Sequence, residues 1–211
     1  MSKAYKRFDH TMHRAEAMFG ASLAFAQNSN GKISDQHLWV QDSIRASIVI
    51  AVSAMDAYFT KKFEEVLVVV LKKGGPKKDL ILLLEKAGLD TRECLLLLNM
   101  QRPYRRIRAM VEAYFEKFVT QKFDVIDELY VGFSLKNLSS NAAKKTGYAT
   151  CLSSIGKLVE KRHQIAHEGD MNKHGKIRKI NPQEVQKRFA MLRRFVRAAD
   201  EIIESKVASI K

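Results

Sequence analysis

The sequence predicts an all-α fold, a helical bundle of about five principal helices with a helical insertion at about residues 74–138. Three observations predict it. Apolar residues recur every three or four positions over long stretches. Only three prolines and ten glycines punctuate 211 residues. No alternating apolar–polar run of strand length occurs, nor any internal repeat or low-complexity segment. With 46% hydrophobic and 28% charged residues, the chain can build a core and does not have a disordered composition. We read residues 1–211 as a single domain.

The first helix is predicted from about Lys3 to Gln27, where Phe8, Met12, Ala15, Phe19 and Leu23 keep helical spacing. "NSNGK" breaks it, and Ser34 offers a cap for the next. That next helix runs from about Asp35 to Lys73, with Ile44, Ile48, Val52, Met55, Phe59, Phe63, Val66 and Val70 on one stripe. Its middle, "RASIVIAVSAMDAYF", is rich in alanine and serine. Small side chains admit a close neighbour, so this is a central helix or part of a dimer seam.

"KKGGPKK" ends the long helix. Two short leucine-rich helices follow, Asp79–Ala87 and Thr91–Met100, the second opened by a capping-box-like Asp90 and Glu93. Pro103 starts a helix to about Gln121 whose first turns carry Arg105, Arg106 and Arg108 beside Tyr104. Phe123–Tyr130 reads as a further short helix and "GFSLKNLSSN" as a loop. Ser140 is placed to cap a helix from Asn141 to about Ala166. Asn181, Pro182 and Glu184 supply an N-cap, a first-position proline and a third-position glutamate for the last helix. Its stripe is Val185, Phe189, Leu192, Val196, Ala199, Ile203 and Val207, with Lys187, Arg193, Arg194 and Arg197 largely off it.

A net charge of +14 speaks of partners rather than of fold. Nucleic acid phosphates and anionic membrane surfaces are the usual partners, and we expect the former. Cys94 and Cys151 are too few for a disulfide framework and lack zinc-type spacing, so both are expected as buried thiols in a reducing compartment. Apolar runs such as Val66–Leu71 and Leu80–Leu84 are short for a span. Ala17–Ala26 resembles a signal-peptide core, but Glu16 stands at its edge and an amphipathic stretch precedes it. A cytoplasmic protein with no membrane partner is the expectation.

The stretch "KLVEKRHQIAHEGDM" sets Arg162, His163 and His167 where a helix runs into a loop. A forked, permanent cation suits phosphate oxygens. A histidine can give or take a proton near neutrality. Together they can cleave RNA without metal or cofactor: a base takes the ribose 2′-hydroxyl proton, the oxygen attacks phosphorus, and the cation stabilises the gathering charge. One copy has few groups for both proton transfers, so a shared site in a symmetric homodimer is predicted. Residues 162 and 167 diverge by about 140° on an unbroken helix. The helix should therefore loosen near His167, and Gly169 suits its end. Two other readings stay open: a metal held by His163 and His167 with a third ligand from Glu168, Asp170 or His174, and a solvated helix end.

"KRHQIAHEGD" resembles the signature of the HEPN superfamily, an arginine and, four to six residues on, a histidine, with a polar residue after the arginine. It lies at the end of the penultimate long helix, as in that family. "IVIAVSAMDAYFTKKFEEVL" resembles the long second helix of the RiboL-PSP-type HEPN branch. The likeness covers the central helix and the last third of the chain. It implies a helical homodimer with metal-independent endoribonuclease activity, often in antiviral defence or toxin systems. On that resemblance Arg162 and His167 are the catalytic pair, and His163 is the polar residue that orients them. A regulator or antitoxin partner fits such systems. However, the variant silenced by a nucleotidyltransferase carries a tyrosine two residues after the histidine, where this chain has Gly169. Some members are non-catalytic, so a silent RNA-binding or assembly protein using the same dimer is the alternative.

Asp56 interrupts an apolar helix, and a buried carboxylate needs a partner. We expect it to hold Arg162 or His163, with a solvent-facing position as the other reading. Lys173, His174, Lys176, Arg178 and Lys179 follow the site on a predicted loop that could hold an RNA backbone by charge.

Overall fold

The computed structural model describes residues 2–28, 36–116 and 120–210. Among them are nine α-helices: α1 (Lys3–Asn28), α2 (Gln36–Val69), α3 (Lys78–Lys86), α4 (Thr91–Leu98), α5 (Pro103–Phe115), α6 (Phe123–Val131), α7 (Leu138–Thr146), α8 (Cys151–Glu168) and α9 (Pro182–Ala208). The fold is all-α. The break expected at "NSNGK" and the Ser34 cap lie outside the described residues.

α2 is the axis of the molecule. Every residue of its predicted stripe from Ile44 to Val70 is buried. α1 and α2 form the most extensive helix pair, an antiparallel hairpin. The Ala4 amide donates to the Glu65 carboxylate (2.8 Å) at one end, and the Phe25 and Trp39 rings meet at 5.3 Å at the other. The buried small residues Ser47, Ala51 and Ala54 permit that closeness. α2 is also the one helix, among the described residues, long and apolar enough to cross a membrane, and half of its apolar window is buried by the rest of the fold. It ends in a π-helical turn, Val70–Gly74, before Gly75 at φ 68°.

α9 closes the core. Its Asn181 carboxamide accepts from the amides of Gln183 (3.0 Å) and Glu184 (3.4 Å), as an N-cap should. Its predicted stripe is buried throughout. The Phe189 ring meets Phe19 at 5.7 Å, and Phe195 meets Phe59 at 6.0 Å. Arg193 forks onto Glu16 of α1 at 2.6 and 2.8 Å. A buried polar knot ties three helices. Asp200 of α9 takes the Lys62 ammonium (2.8 Å), the Tyr58 hydroxyl (3.0 Å) and the Ser2 hydroxyl (2.8 Å). Burial pushes the Tyr58 phenol well above its ordinary value.

Residues between α2 and α7 share this core. Phe115, Tyr130 and Phe133 pack on Phe63 at 4.8, 5.9 and 4.4 Å. Several boundaries differ from the sequence reading. α5 stops at Phe115 rather than near Gln121, because Thr120 and Gln121 turn their side chains to Asp56 instead of extending a helix. The single helix expected from Asn141 to Ala166 is two. Gly147 takes a left-handed φ of 77°, the Thr146 hydroxyl accepts from the Tyr148 amide (3.3 Å), and Arg194 caps the Tyr148 ring at 4.6 Å. Ser140 therefore lies inside α7 and caps nothing. Of the two thiols expected to be buried, Cys151 is and Cys94 is exposed.

Candidate active site

α8 buries Cys151, Ile155 and Leu158 and carries Arg162, His163 and His167 toward its end. It runs as unbroken helix to Glu168 and stops where Gly169 takes φ 60°. The expected end at Gly169 is met, but the expected loosening at His167 is not. Arg162 and His167 thus leave α8 in directions about 140° apart, and within one chain they do not converge. His163 and His167, one turn apart, bring their rings to 4.5 Å at a tilt of 43° and are both exposed. Arg162 sits on the half-buried side, and its Nε is buried with no hydrogen-bond partner. An orphaned donor of this kind is costly unless a further group completes it.

Beyond the helix the chain folds back at once. Asp170 also takes a left-handed φ, 56°, and its amide donates to the Gln164 carbonyl (3.0 Å). Met171 and Ile177 pair in a single antiparallel bridge, and the Asn172 carboxamide accepts from the amides of His174 (2.9 Å) and Lys176 (3.0 Å). The predicted basic loop is therefore a tight, internally bonded hairpin.

Asp170 is the electrostatic centre of this region. Its carboxylate is fully buried and takes Arg45 Nε at 2.9 Å and Lys161 Nζ at 2.7 Å, with Arg178 at 3.8 Å. Arg45 also donates to the Arg178 carbonyl at 2.5 Å, and the Arg178 amide donates to the Asp170 carbonyl at 2.9 Å. Arg178 further pairs with Glu168 at 3.1 Å. One carboxylate so joins α2, α8 and the hairpin.

This redistributes the predicted roles. Lys173, His174, Lys176 and Lys179 are exposed on the hairpin beside the end of α8. Arg178 is not free with them, because it is spent on Glu168 and Asp170. The expectation for Asp56 is also corrected. Its carboxylate accepts from Thr120 Oγ1 and from Gln121 Nε2 (3.2 Å), not from Arg162 or His163. It fastens the segment after α5 onto α2. Arg45, eleven residues earlier on α2, is the residue that reaches the α8 end. Sequence reasoning missed Arg45, Lys161 and the structural part of Asp170. The available signal was Arg45 itself, a lone cation in the apolar run "SIRASIVI".

Among the described residues no group of three or more histidine, cysteine, aspartate or glutamate side chains is placed to hold a metal. Asp170, a potential third ligand, is occupied by cations. The model of the family described as RiboL-PSP-HEPN matches residues 22–205, which span both the long second helix and the Arg–His stretch. Comparison with curated proteins and with solved structures returns no match. On the match across residues 22–205 and the all-α architecture, the chain belongs to the RiboL-PSP-HEPN family, a HEPN-type family.

Proposed function

We propose that this protein is a metal-independent endoribonuclease whose site is completed by a second copy. One observation carries the reading. Around the end of α8 the structural cations are neutralised: Arg45, Lys161 and Arg178 are held by Asp170 and Glu168. Among the described residues no acid pairs with Arg162, His163 or His167, and an Arg162 nitrogen is buried without an acceptor. The groups able to do chemistry are the ones left unused.

The reaction needs no further chemistry from the protein than these groups supply. One His167 takes the 2′-hydroxyl proton of a ribose, and the freed oxygen attacks the adjacent phosphorus. Arg162 stabilises the charge on the non-bridging oxygens. A second imidazole gives a proton to the departing 5′-oxygen. The products are a 2′,3′-cyclic phosphate and a 5′-hydroxyl. Because Arg162 and His167 diverge on one helix, an arginine of one copy and a histidine of its twofold mate are the pair that would meet across a seam. The exposed Lys173, His174, Lys176 and Lys179 would hold the RNA backbone by charge. A role in defence or as a toxin, in the cytoplasm, with a separate restraining partner, belongs to the same proposal.

The test is cleavage of labelled RNA in EDTA by the wild type, Arg162→Ala and His167→Ala. The proposal expects 2′,3′-cyclic ends from the wild type and loss of cleavage by at least about a hundredfold in each variant. RNA binding without cleavage would instead assign a silent assembly protein on the same fold. Cleavage abolished by EDTA would restore the metal reading.

A further inference from the structure

A further unexplained surface lies past the end of α2, on α3 and α4. Within residues 81–100, Ile81, Leu82, Leu95, Leu96, Leu98 and Met100 are exposed, Leu98 by 79%. α4 reads "TRECLLLL" and buries only Leu97. An eight-residue helix that exposes three of its four leucines is not explained by the core it packs on. Its surroundings are cationic. Between residues 72 and 108 stand ten lysines and arginines against four acids. Of these, Lys77, Lys78, Lys86, Arg92 and Arg102 are exposed and make no ion pair among the described residues.

The placement excludes the dimer already invoked. α2 carries Arg45 near its start and hands over to α3 past Val70, so this patch stands about 38 Å along the helix from the Asp170 cluster at 1.5 Å per residue. A twofold through α3 and α4 would hold the two α8 ends apart and set like charges against one another. The exposed leucines stand on two short helices amid unpaired lysines and arginines, a combination that suits a medium apolar within and anionic at its surface. We infer that α3 and α4 form a membrane-surface anchor for an anionic bilayer: the leucines enter the acyl boundary while the lysines and arginines meet lipid phosphates. Such an anchor departs from the expectation of no membrane partner, because the exposed leucines beside unpaired cations are a feature that composition and net charge do not reveal.

The test uses the full chain with vesicles of phosphatidylcholine, alone or mixed with phosphatidylglycerol. The proposal expects co-sedimentation with the mixed vesicles only, weakened by salt. Leu95→Ser with Leu98→Ser, and separately Arg92→Glu with Arg102→Glu, should each lower binding by about tenfold or more. An environment-sensitive fluorophore on Cys94, the exposed thiol beside the patch, should shift to the blue on mixed vesicles only. No binding to mixed vesicles, or unchanged binding by the serine variant, would overturn the inference. So would self-association without lipid that the serine variant loses, since a second copy would then be the occupant. RNA cleavage by the serine variant should match the wild type, which keeps this outcome separate from that of the proposed nuclease.

Discussion

Arg45 and Asp170 are 125 positions apart in the chain and 2.9 Å apart in the fold, both buried. The pair anchors the end of α8 and its hairpin to the central helix. Removing the carboxylate leaves Lys161 without its anion and leaves Arg45 only the exposed Asp42 at 3.4 Å. Asp170→Ala should therefore lose about 3–5 kcal/mol of stability. Urea denaturation measures it, and a loss below about 1 kcal/mol would mean that solvent or Glu168 replaces the carboxylate easily.

Asp56 gives the opposite contrast. Its bonds go to Thr120 and Gln121, away from Arg162. Asp56→Asn should leave RNA cleavage unchanged while lowering stability by about 1–2 kcal/mol. A cleavage defect in a stably folded variant would reconnect Asp56 to the site.

Two glycines near the start of α8 should behave differently. Gly147 has a left-handed φ of 77°, whereas Gly156 is helical with open space where a Cβ would stand. Gly147→Ala should destabilise by about 1 kcal/mol. Gly156→Ala should stabilise the isolated chain by about 0.5–1 kcal/mol. Thermal melts of the two variants at equal concentration decide, and equal effects would detach the α7–α8 break from Gly147.

Glu65 supplies a pH signature. Burial, the leading cause, raises its carboxyl above the ordinary value despite the bond from the Ala4 amide. A carboxyl whose folded pKa is raised binds its proton more tightly in the native state. Its charged form therefore weakens the fold as pH rises through that range, and the penalty vanishes below the unfolded value of about 4.3. Glu65→Gln keeps an oxygen for the Ala4 amide and removes the charge. It should be at least as stable as the wild type at pH 7 and lose any advantage below about pH 4. Denaturation midpoints at the two pH values check the sign.

Much of this was legible because helical periodicity reports burial directly. The stripes of α2 and α9 became core residue by residue, and Asn181 capped as its sequence indicated. Proximity between distant polar residues leaves no such trace. Asp56 and Arg45 are both lone charges in one apolar helix, and nothing local says which faces α8. The split at Gly147 was missed because the left-handed turn depends on a hydroxyl and on Arg194, 47 positions away in the sequence. The Arg–His stretch was legible as a residue pattern, but no local signal told that α8 would run unbroken past His167 and set Arg162 and His167 in different directions.

The Asp200 knot has a consequence for synthesis on the ribosome. Lys62 is wholly enclosed, and its anion arrives 138 residues later in the chain, together with the contacts to Ser2 and Tyr58. Until α9 emerges, Lys62 lacks the two carboxylates that pair with it, Asp200 and Glu204. Such distant closure makes folding a late, slow event. A nascent chain therefore cannot close this core until α9 has been made.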